Sequence, residues 1–260
     1  MDTGALIAEL RAAGCVFAED EAAILIEASG GGTVLDEAML AEMVRRRVRG
    51  EPLEAIVGWA DFAGIRVVVE PGVFVPRQRS ALLVDLAAGL APRHGTVLDL
   101  CCGTGGIGAA VAFRRPDAAV FGADLDQAAV HCARRNLPAG RVFEGDLFDA
   151  LPDRLRGALD LVVVNAPYVP TEAIALMPPE ARDHEHRIAL DGGADGLDLH
   201  RRIASDASGW LTPDGVLAIE ASERQAPVSA GLFRGNGFAA EVVCDDEIEA
   251  TAVIVRRTHS

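Results

Sequence analysis

The tetrapeptide Asn165-Ala166-Pro167-Tyr168 carries the most distinctive chemistry in the sequence. It follows the wholly apolar run LDLVVV, where an asparagine is out of place as a packing residue. The side-chain carbonyl of Asn165 and the backbone carbonyl of Ala166 can each accept one hydrogen of a planar NH2 group, and Tyr168 offers a face for stacking. This arrangement would hold an amide or exocyclic amine with its nitrogen lone pair exposed. Taken alone, the same residues also suit a structural turn before Pro167.

A second candidate site is a glycine-containing turn that follows an apolar run with Asp99 near its end. Small residues let a backbone come close to a ligand, and the helix that follows points its N–H groups at it. Asp99 would repel a pyrophosphate but would suit an ammonium or a sulfonium-bearing amino acid. The dinucleotide pattern G-x-G-x-x-G is poorly matched, and an ordinary tight β-α turn remains the structural alternative. The turn consists of Cys101, Cys102, Gly103, Thr104 and Gly105.

Two more acids follow the next two apolar runs. Asp124 comes near the end of AVFGADL (119–125), and Asp146 lies within RVFEGDLF (141–148). The carboxyl ends of parallel strands meet at one edge of a sheet, where such sheets bind ligands. A carboxylate at the end of the second strand commonly accepts two ribose hydroxyls. Asp126 is predicted to cap the following helix.

Alternating strands and helices from residue 96 onward would position these groups. Buried apolar runs separated by helices predict an α/β fold with a doubly wound, mostly parallel sheet. Helices are expected after the glycine turn, over DQAAVHCARRN, and at roughly 196–209 and 224–235. The predicted strands are TVLDLC, AVFGADL, RVFEGDLF, LDLVVV, GVLAIEA and TAVIVRR.

The first fifty residues show helical periodicity instead. Three helices are predicted over LIAELRAAG, EDEAAILIEASGGG and LDEAMLAEMVRRRVRG, with Asp20 and Asp36 as N-caps or first-turn acids. The cluster Arg45-Arg46-Arg47 with Arg49 either complements a helix C-terminus or grips an acidic partner. Between residues 52 and 77, short strands are expected over WADFAG, IRVVVE and VFVPR, followed by a helix at about 79–90.

Composition excludes several classes of protein. The 260 residues include no lysine, which rules out Schiff-base chemistry and P-loop lysines. A net charge of −15 argues against binding a nucleic-acid backbone. No apolar run is long enough for a transmembrane helix, and the N-terminal segment does not have the pattern of a secretory signal. Five irregularly spaced cysteines predict reduced thiols, so we expect a cytoplasmic protein without membrane association.

The chain resembles the HemK/PrmC-type protein-(glutamine-N5) methyltransferases over about residues 50–255. The motifs that carry the resemblance are GEPLEAIVGWADFAGIRVVVEPGVFVPR (50–77), VLDLCCGTGGIG (97–108), GADLDQAAV (122–130), GDLF (145–148), NAPY (165–168), ALDGGADGLDLHRRI (189–203) and LTPDGVLAIEASERQ (211–225). Their number and common order make the resemblance specific to the family, and much less specific to the substrate.

The resemblance implies a helical substrate-recognition domain (1–50), a β-hairpin linker (51–78) and a seven-stranded class I methyltransferase domain (79–260) whose last strand is antiparallel. It implies S-adenosylmethionine as cofactor, no metal, and a protein partner carrying the acceptor glutamine, a release factor or related translation protein. Cys101 to Gly105 would line the methionine part of the cofactor, with Asp99 near its amino group. The remaining implied cofactor residues are Asp124 and Leu125 at the ribose, Asp146 and Leu147 at the adenine, and Asn165.

The acceptor residues implied by the resemblance are Asn165, Ala166, Pro167 and Tyr168, which would hold the glutamine amide during transfer of the methyl group to nitrogen. The chain departs from the family at Ala166, where NPPY is usual, and at Cys101, where glycine is usual. It departs again at Gln78-Arg79-Ser80, where a proline and an acidic or Thr-Glu stretch are usual, and at Glu185-His186, where Glu-Pro is usual. These departures leave the identity of the protein substrate open.

Four other functions compete with this interpretation. A nucleic-acid amino-methyltransferase would use the same Asn-x-Pro-Tyr arrangement to hold the amine, but the acidic net charge of the chain disfavours it. A small-molecule N-methyltransferase would use the helical domain as a lid. An inactive cofactor-binding adaptor and an NAD-dependent enzyme are the remaining alternatives.

The run Asp183-His184-Glu185-His186 is interpreted as a solvated loop rather than a metal site. Cys101 and Cys102 are interpreted as packing residues rather than nucleophiles.

Overall fold

A seven-stranded sheet forms the centre of the molecule, which is described here from a computed structural model covering residues 2–30 and 35–258. The strands of this sheet are rich in valine, leucine and isoleucine because most of them are covered on both faces. They are β3 (Thr96–Leu100), β4 (Ala119–Asp124), β5 (Val142–Glu144), β6 (Leu159–Val164), β7 (Leu211–Glu220), β8 (Phe238–Asp245) and β9 (Ala250–Arg257). A separate hairpin precedes them, formed by β1 (Trp59–Phe62) and β2 (Ile65–Val68).

The order of strands across the sheet is β5-β4-β3-β6-β7-β9-β8. Strands β5, β4, β3, β6 and β7 run parallel, whereas β9 is antiparallel to both of its neighbours. After β3 the chain adds β4 and β5 on one side of it, and from β6 onward it adds strands on the other side. Open α/β sheets bind ligands at such a switch point, which here lies between β3 and β6. The predicted α/β fold with a doubly wound, mostly parallel sheet and an antiparallel last strand is confirmed.

Each face of the sheet is covered by its own set of helices. Along β6, Leu161 and Val163 face one core, and Val162 and Val164 face the other, as the two-residue repeat of a strand requires. The first core includes residues of α5 and α6, and the second includes residues of α9 and α10. The helices that follow the hairpin are α5 (Ala81–Leu90), α6 (Gly106–Arg114), α7 (Gln127–Asn136), α8 (Pro179–His184), α9 (Asp198–Trp210) and α10 (Ala226–Gly235).

The N-terminal helices pack around a third core of their own. They are α1 (Thr3–Ala12), α2 (Ala18–Ala28), α3 (Glu37–Val48) and the short α4 (Leu53–Val57). Leu10, Leu25 and Leu40 lie in this core, and Ile56 of α4 belongs to it as well, beyond the predicted boundary at residue 50. The predicted end of the second helix, at residues 31 and 32, lies outside the described residues.

Local sequence signals explain where two of these helices begin. Asp36 caps α3, because its Oδ1 accepts hydrogen bonds from the backbone N–H groups of Ala38 and Met39 at 3.0 and 2.9 Å. Asp126 caps α7 in the same way through the N–H of Ala128, at 2.9 Å. Asp20 lies in the first turn of α2, where an acid favours the helix dipole. All three predictions are confirmed.

One predicted strand is wrong, a second is wrong in part, and one strand was not predicted. VFVPR (73–77) forms no strand; Gly72 before it pairs with Glu185, and the Val75 N–H donates to the Glu185 side chain. RVFEGDLF is a strand only at Val142–Glu144, after which Gly145, at φ +153°, leads into a 3-10 turn over Leu147–Ala150. Strand β8 is absent from the predicted strands because its residues are largely exposed at the sheet edge and lack a clear apolar run.

The chain between Tyr168 and α9, residues 169–197, is named the crossover segment here. It was predicted to contain a solvated loop at 183–186. That prediction is wrong for buried Glu185, and Asp183 and His184 end helix α8, whereas the side chain of His186 is half exposed. The Glu185 side chain is only 1% exposed and binds the Arg77 guanidinium and the Val75 N–H. His186 pairs with Asp126, the N-cap of α7, so this part of the segment is attached to the loop that follows β4.

No helix within residues 2–30 and 35–258 is both long and apolar enough to cross a membrane.

Candidate active site

A cavity of about 580 Å³ opens at the carboxyl ends of β3, β4 and β6. This volume is typical of sites that bind a small molecule or cofactor. The crossover segment covers one side through Met177, Ile188 and Leu190. The predicted site residues that line the cavity are Cys101, Cys102, Gly103, Thr104, Asp124, Leu125, Asp146, Leu147, Asn165, Ala166, Pro167 and Tyr168.

Two predicted cofactor residues, Asp99 and Gly105, do not line the cavity. Gly105 adopts φ +74°, and a Cβ there would lie 3.1 Å from the Ala133 Cβ, so this glycine serves helix packing. Asp99 is fully buried below the turn, where its Oδ2 accepts a 2.8 Å hydrogen bond from the Gly108 N–H. Its Oδ1 has no hydrogen-bond partner among the described residues. Direct contact of either residue with a cofactor stays a prediction.

Burial dominates the electrostatics of Asp99. Removal from water raises the pKa of this carboxyl to about 8, although the Gly108 N–H opposes the shift. A buried acid with one unpartnered oxygen is suited to a nearby cation, which would restore the charged form. The interaction of Asp99 with an ammonium or sulfonium ligand stays a prediction.

The glycine turn is joined directly to the acid at the end of β4. The Gly103 N–H donates a 2.8 Å hydrogen bond to the Asp124 Oδ2, and the Asp126 N–H donates to its Oδ1. Gly103 adopts φ +55°, and nothing lies within 4 Å of the position a Cβ would take, so a ligand can approach the backbone there. Burial raises the pKa of the Asp124 carboxyl, whereas these backbone donors lower it.

Asp146 and Leu147 lie opposite the turn, at the far side of β4. Asp146 forms a 2.8 Å ion pair with Arg202 of α9, and Leu147 is buried with φ +50°. The two residues follow β5 by two and three positions, so Asp146 does not end the strand as predicted. Their position still places a carboxylate and an apolar side chain beside the same cavity.

The acceptor end of the cavity is built around Asn165. Its Nδ2 donates a 3.1 Å hydrogen bond to the hydroxyl of Ser80, which is itself buried. Because the NH2 group is held in this way, the side-chain carbonyl is left to accept a hydrogen from a ligand. No described residue donates a hydrogen bond to the Ala166 carbonyl. The two hydrogen-bond acceptors predicted from the sequence, the Asn165 side-chain carbonyl and the Ala166 backbone carbonyl, are therefore both available to a ligand.

Tyr168 is held by a buried carboxylate that the sequence alone did not reveal. Its hydroxyl donates a 3.1 Å hydrogen bond to Glu220 Oε1, and the Arg79 Nε donates to the same oxygen at 3.4 Å. Burial, with the charge of Glu220, raises the pKa of Tyr168 to about 12. The phenol therefore stays protonated at neutral pH. Glu220 ends the apolar strand β7. An acid at the end of an apolar strand is the same sequence signal that identifies Asp124.

Close backbone packing fixes the tetrapeptide from the other side. A Cβ on Gly196 would lie 2.1 Å from the Tyr168 carbonyl oxygen, and a Cβ on Gly192 would lie 2.7 Å from that of Pro167. Gln225 adds a 2.9 Å hydrogen bond from its Nε2 to the same Tyr168 oxygen. The glycines of the run DGGADG (191–196) are therefore needed because two backbone segments touch.

The cysteines of the turn do not have the properties of nucleophiles. Burial raises the pKa of both Cys101 and Cys102 well above the usual range for a thiol, which keeps them protonated. Within residues 2–30 and 35–258, no group of three or more His, Cys, Asp and Glu side chains is arranged to hold a metal ion.

Comparison with known proteins shows extensive similarity to methyltransferases. Residues 64–177 match the family model described as the methyltransferase small domain. A release factor glutamine methyltransferase from Geobacter sulfurreducens is 40% identical over 200 residues, which cover 75% of this chain and 69% of that protein. A 4-amino-L-phenylalanine/4-methylamino-L-phenylalanine methyltransferase from Streptomyces pristinaespiralis is 40% identical over 203 residues, with the same two coverages.

Among solved structures, a methyltransferase from Pyrococcus furiosus shares the fold. The match has a TM-score of 0.56 and 15% sequence identity, and it covers 74% of this chain and 88% of that one.

Proposed function

The chain belongs to the HemK/PrmC-type family that includes the release factor glutamine methyltransferases, and on that premise we propose that it methylates the side-chain amide nitrogen of a glutamine in a protein. The methyl donor is S-adenosylmethionine, which supplies an electrophilic methyl group when bound. The acceptor protein is a release factor or a related translation protein, and the enzyme acts in the cytoplasm. The helical residues 1–50 recognise that protein, 51–78 link the two parts, and 79–260 carry the reaction.

The residues present fit the cofactor. The open space above Gly103 allows a ligand to contact the backbone, and Asp124 retains lone pairs for hydroxyl groups while its backbone donors hold it in place. Leu147 provides an apolar surface at the adenine end. Asp99 is buried below the turn, where a ligand that carries positive charge on its amino acid part would favour the charged form of the carboxyl.

The tetrapeptide positions the acceptor. The Asn165 side-chain carbonyl and the Ala166 backbone carbonyl accept the two amide hydrogens, which aims the nitrogen lone pair away from them. As the nitrogen gains the methyl group it becomes positively charged, and both carbonyl dipoles favour that charge. The methylated nitrogen then loses a proton readily, so the chain need not supply a strong base.

The hydrogen bond from Asn165 to Ser80 is the observation that carries this proposal. An asparagine whose NH2 group is already engaged by a buried hydroxyl presents an acceptor, and a packing role would not require that orientation. An amide or amine hydrogen is the matching partner.

The test is the Asn165→Ala variant, assayed with recombinant release factor and S-adenosylmethionine by mass spectrometry of the product. We expect methyl transfer to fall at least about 100-fold, as for loss of one preorganised polar group. The affinity for S-adenosylhomocysteine is expected to change less than about threefold, because the main partner of Asn165 is the acceptor.

The matched control is Asn236→Ala at the end of α10, which removes an exposed side chain whose Nδ2 donates a hydrogen bond to the nearby Leu232 carbonyl. It is expected to retain wild-type turnover. Wild-type turnover in the Asn165→Ala variant would remove the proposed role of the tetrapeptide.

A small-molecule amine is the second candidate acceptor. The aminophenylalanine methyltransferase matches this chain at the same identity as the Geobacter relative, and Ala166 and Arg79 both depart from the usual family pattern. Transfer to free 4-amino-L-phenylalanine, with none to release factor, would establish this alternative.

A further inference from the structure

We propose that Arg79 binds a carboxylate on the acceptor and thereby selects which acceptors are methylated. The carboxylate belongs to the acceptor residue itself or to its immediate neighbour. This inference rests on the methyl-transfer function proposed above and specifies the class of acceptor that the site takes.

Charge is distributed unevenly along the cavity wall. The acids Asp124, Asp126 and Asp146 line the end formed by the glycine turn and β4. The stretch from Phe74 to Ser80 lines the acceptor end and contributes Arg77 and Arg79 but no acid. Arg77 is already paired with buried Glu185, whereas the side chain of Arg79 is more exposed and lies on the cavity wall, so Arg79 is the cation of this stretch that can meet an anionic ligand group.

Arg79 is anchored from behind and exposed in front. Its Nε contacts Glu220, whose side chain is 5% exposed, whereas the Arg79 side chain is 47% exposed and lines the cavity. Glu220 is also the one carboxylate that pairs with Arg79 in residues 2–30 and 35–258. A guanidinium engaged through Nε keeps the edge formed by its two terminal nitrogens, and that edge can bind a carboxylate in bidentate geometry.

A second carboxylate on the same guanidinium is ordinary in this protein. Arg47 pairs with both Glu21 and Glu180, and Arg66 pairs with both Asp61 and Glu27. Existing pairing with Glu220 therefore does not prevent Arg79 from binding an acid supplied by a ligand.

The position of Arg79 limits where the ligand carboxylate can be. Its guanidinium carbon lies 6.0 Å from the centre of the Tyr168 ring, which flanks the acceptor nitrogen. That distance is shorter than two extended residues, at about 3.3–3.6 Å each. Two sources satisfy this limit: an acidic side chain next to the glutamine, or the α-carboxylate of the acceptor residue itself.

Three glycine-flanked peptides with one glutamine distinguish the sources. One is amidated and neutral, one ends in a glutamine with a free α-carboxylate, and one carries a glutamate next to the glutamine and is amidated. For each, kcat/KM of methyl transfer is measured, together with the dissociation constant in the presence of S-adenosylhomocysteine. The enzymes are wild type, Arg79→Gln, Arg79→Lys and the control Arg93→Gln, which removes an exposed arginine remote from the cavity.

We expect wild type to prefer one of the two acidic peptides by at least about tenfold, which is roughly the value of one charge-assisted hydrogen bond. Arg79→Gln loses the preference, mainly through KM. Arg79→Lys keeps part of the preference, because the positive charge remains while the bidentate geometry of the guanidinium is lost. Arg93→Gln behaves as wild type. Preference for the free α-carboxylate identifies a terminal residue or free amino acid, and preference for the glutamate identifies an internal site.

Three results would overturn the inference. The first is that wild type uses all peptides equally or binds none of them. The second is a preference that survives in Arg79→Gln. The third is weaker S-adenosylhomocysteine binding in Arg79→Gln. The last would mean that Arg79 holds the cofactor's own carboxylate. If acidic peptides bind through Arg79 but none is methylated, glutamine methylation fails and the carboxylate inference stands. If all three peptides are methylated without preference, glutamine methylation stands and the carboxylate inference fails.

Discussion

Of the five non-glycine residues with positive φ among those that the structure describes, Cys101 and Leu147 line the cavity. Such conformations cost of order 1–3 kcal/mol and persist where the surroundings hold them. At φ +59°, Cys101 adopts a conformation that glycine reaches at lower cost. The turn therefore holds Cys101 in a conformation to which its side chain is poorly suited.

Asp99 makes stability depend on pH in an unusual direction. The folded carboxyl keeps its proton up to a pKa of about 8, whereas the unfolded one loses it near 3.8. Between those values the native state binds the extra proton, so the free energy of unfolding falls as pH rises. Relative to Asp99→Asn, the ligand-free wild type is expected to lose stability by up to about 1.4 kcal/mol per pH unit, measured by urea denaturation from about pH 5 to 8.

Asp117→Asn provides a control of opposite sign. Arg115 lowers the pKa of Asp117 to about 2, so this acid stabilises the fold above its unfolded pKa and the contribution is lost as pH falls. Wild type should therefore lose stability relative to Asp117→Asn only in the acid range. A difference between wild type and Asp99→Asn that stays constant from about pH 5 to 8 would contradict the buried, protonated Asp99.

At the scale of elements, the run DGGADG (191–196) is as necessary to the site as the tetrapeptide that it supports. Gly196→Ala would add a Cβ at φ +78° that overlaps the Tyr168 carbonyl oxygen. We expect a loss of about 2–4 kcal/mol of stability, or displacement of Tyr168 with at least about a tenfold fall in turnover, measured by urea denaturation and methyl-transfer assay.

Gly231→Ala is the matched control, because a Cβ at that position in α10 meets no atom within 4 Å. Alanine in a helix interior is favoured over glycine by about 0.5–1 kcal/mol, so the control should be neutral or stabilising. If both variants behave alike, the close contact at Gly196 does not constrain the site.

The helical N-terminal part is tied to the crossover segment through Arg47 of α3. The side chain of Arg47 is 8% exposed and pairs with buried Glu21 of α2 and with half-exposed Glu180 of α8. The arginine cluster was predicted either to complement the helix C-terminus or to grip an acidic partner. Arg45, Arg46 and Arg47 do lie in the last turn of α3, and Arg47 in addition forms ion pairs within the chain. The ion pair links the part proposed to recognise the substrate with the segment that covers the cavity.

The two partners of Arg47 should differ in their effect on stability. Glu21→Gln leaves a buried guanidinium without its main counter-charge and is expected to cost roughly 3 kcal/mol. Glu180→Gln removes a half-exposed partner and should cost no more than about 1 kcal/mol. Urea denaturation of both variants measures this difference, and equal costs would show that the Arg47–Glu21 pair is not the structural anchor.

For the whole molecule, the cavity joins loops from both halves of the sheet, so a ligand there stabilises the entire methyltransferase part. At a concentration 100 times its dissociation constant, S-adenosylhomocysteine should add about 2.7 kcal/mol to the free energy of unfolding. The shift in melting temperature measures it. NAD at the same concentration should give no shift, and stabilisation by NAD instead would reverse the assignment of the cofactor.

The sequence alone predicts the α/β class, the parallel sheet, two helix caps and most of the cavity wall. These features depend on local patterns, namely apolar runs of the length of a strand, acids next to strand ends, and glycines in a turn. The pattern fails at β8, because an edge strand with one exposed face lacks the continuous apolar run.

Only the tertiary structure reveals the partners that give the site its chemistry. Ser80 meets Asn165 across 85 residues of sequence, and Arg79 meets Glu220 across 141. The structure also shows that Asp99 lies below the cavity, although its position in the sequence suggested that it would line it. The physical reason is that burial and hydrogen-bond partnership are set by the packing of elements distant in sequence, whereas periodicity and turn chemistry act over a few neighbouring residues.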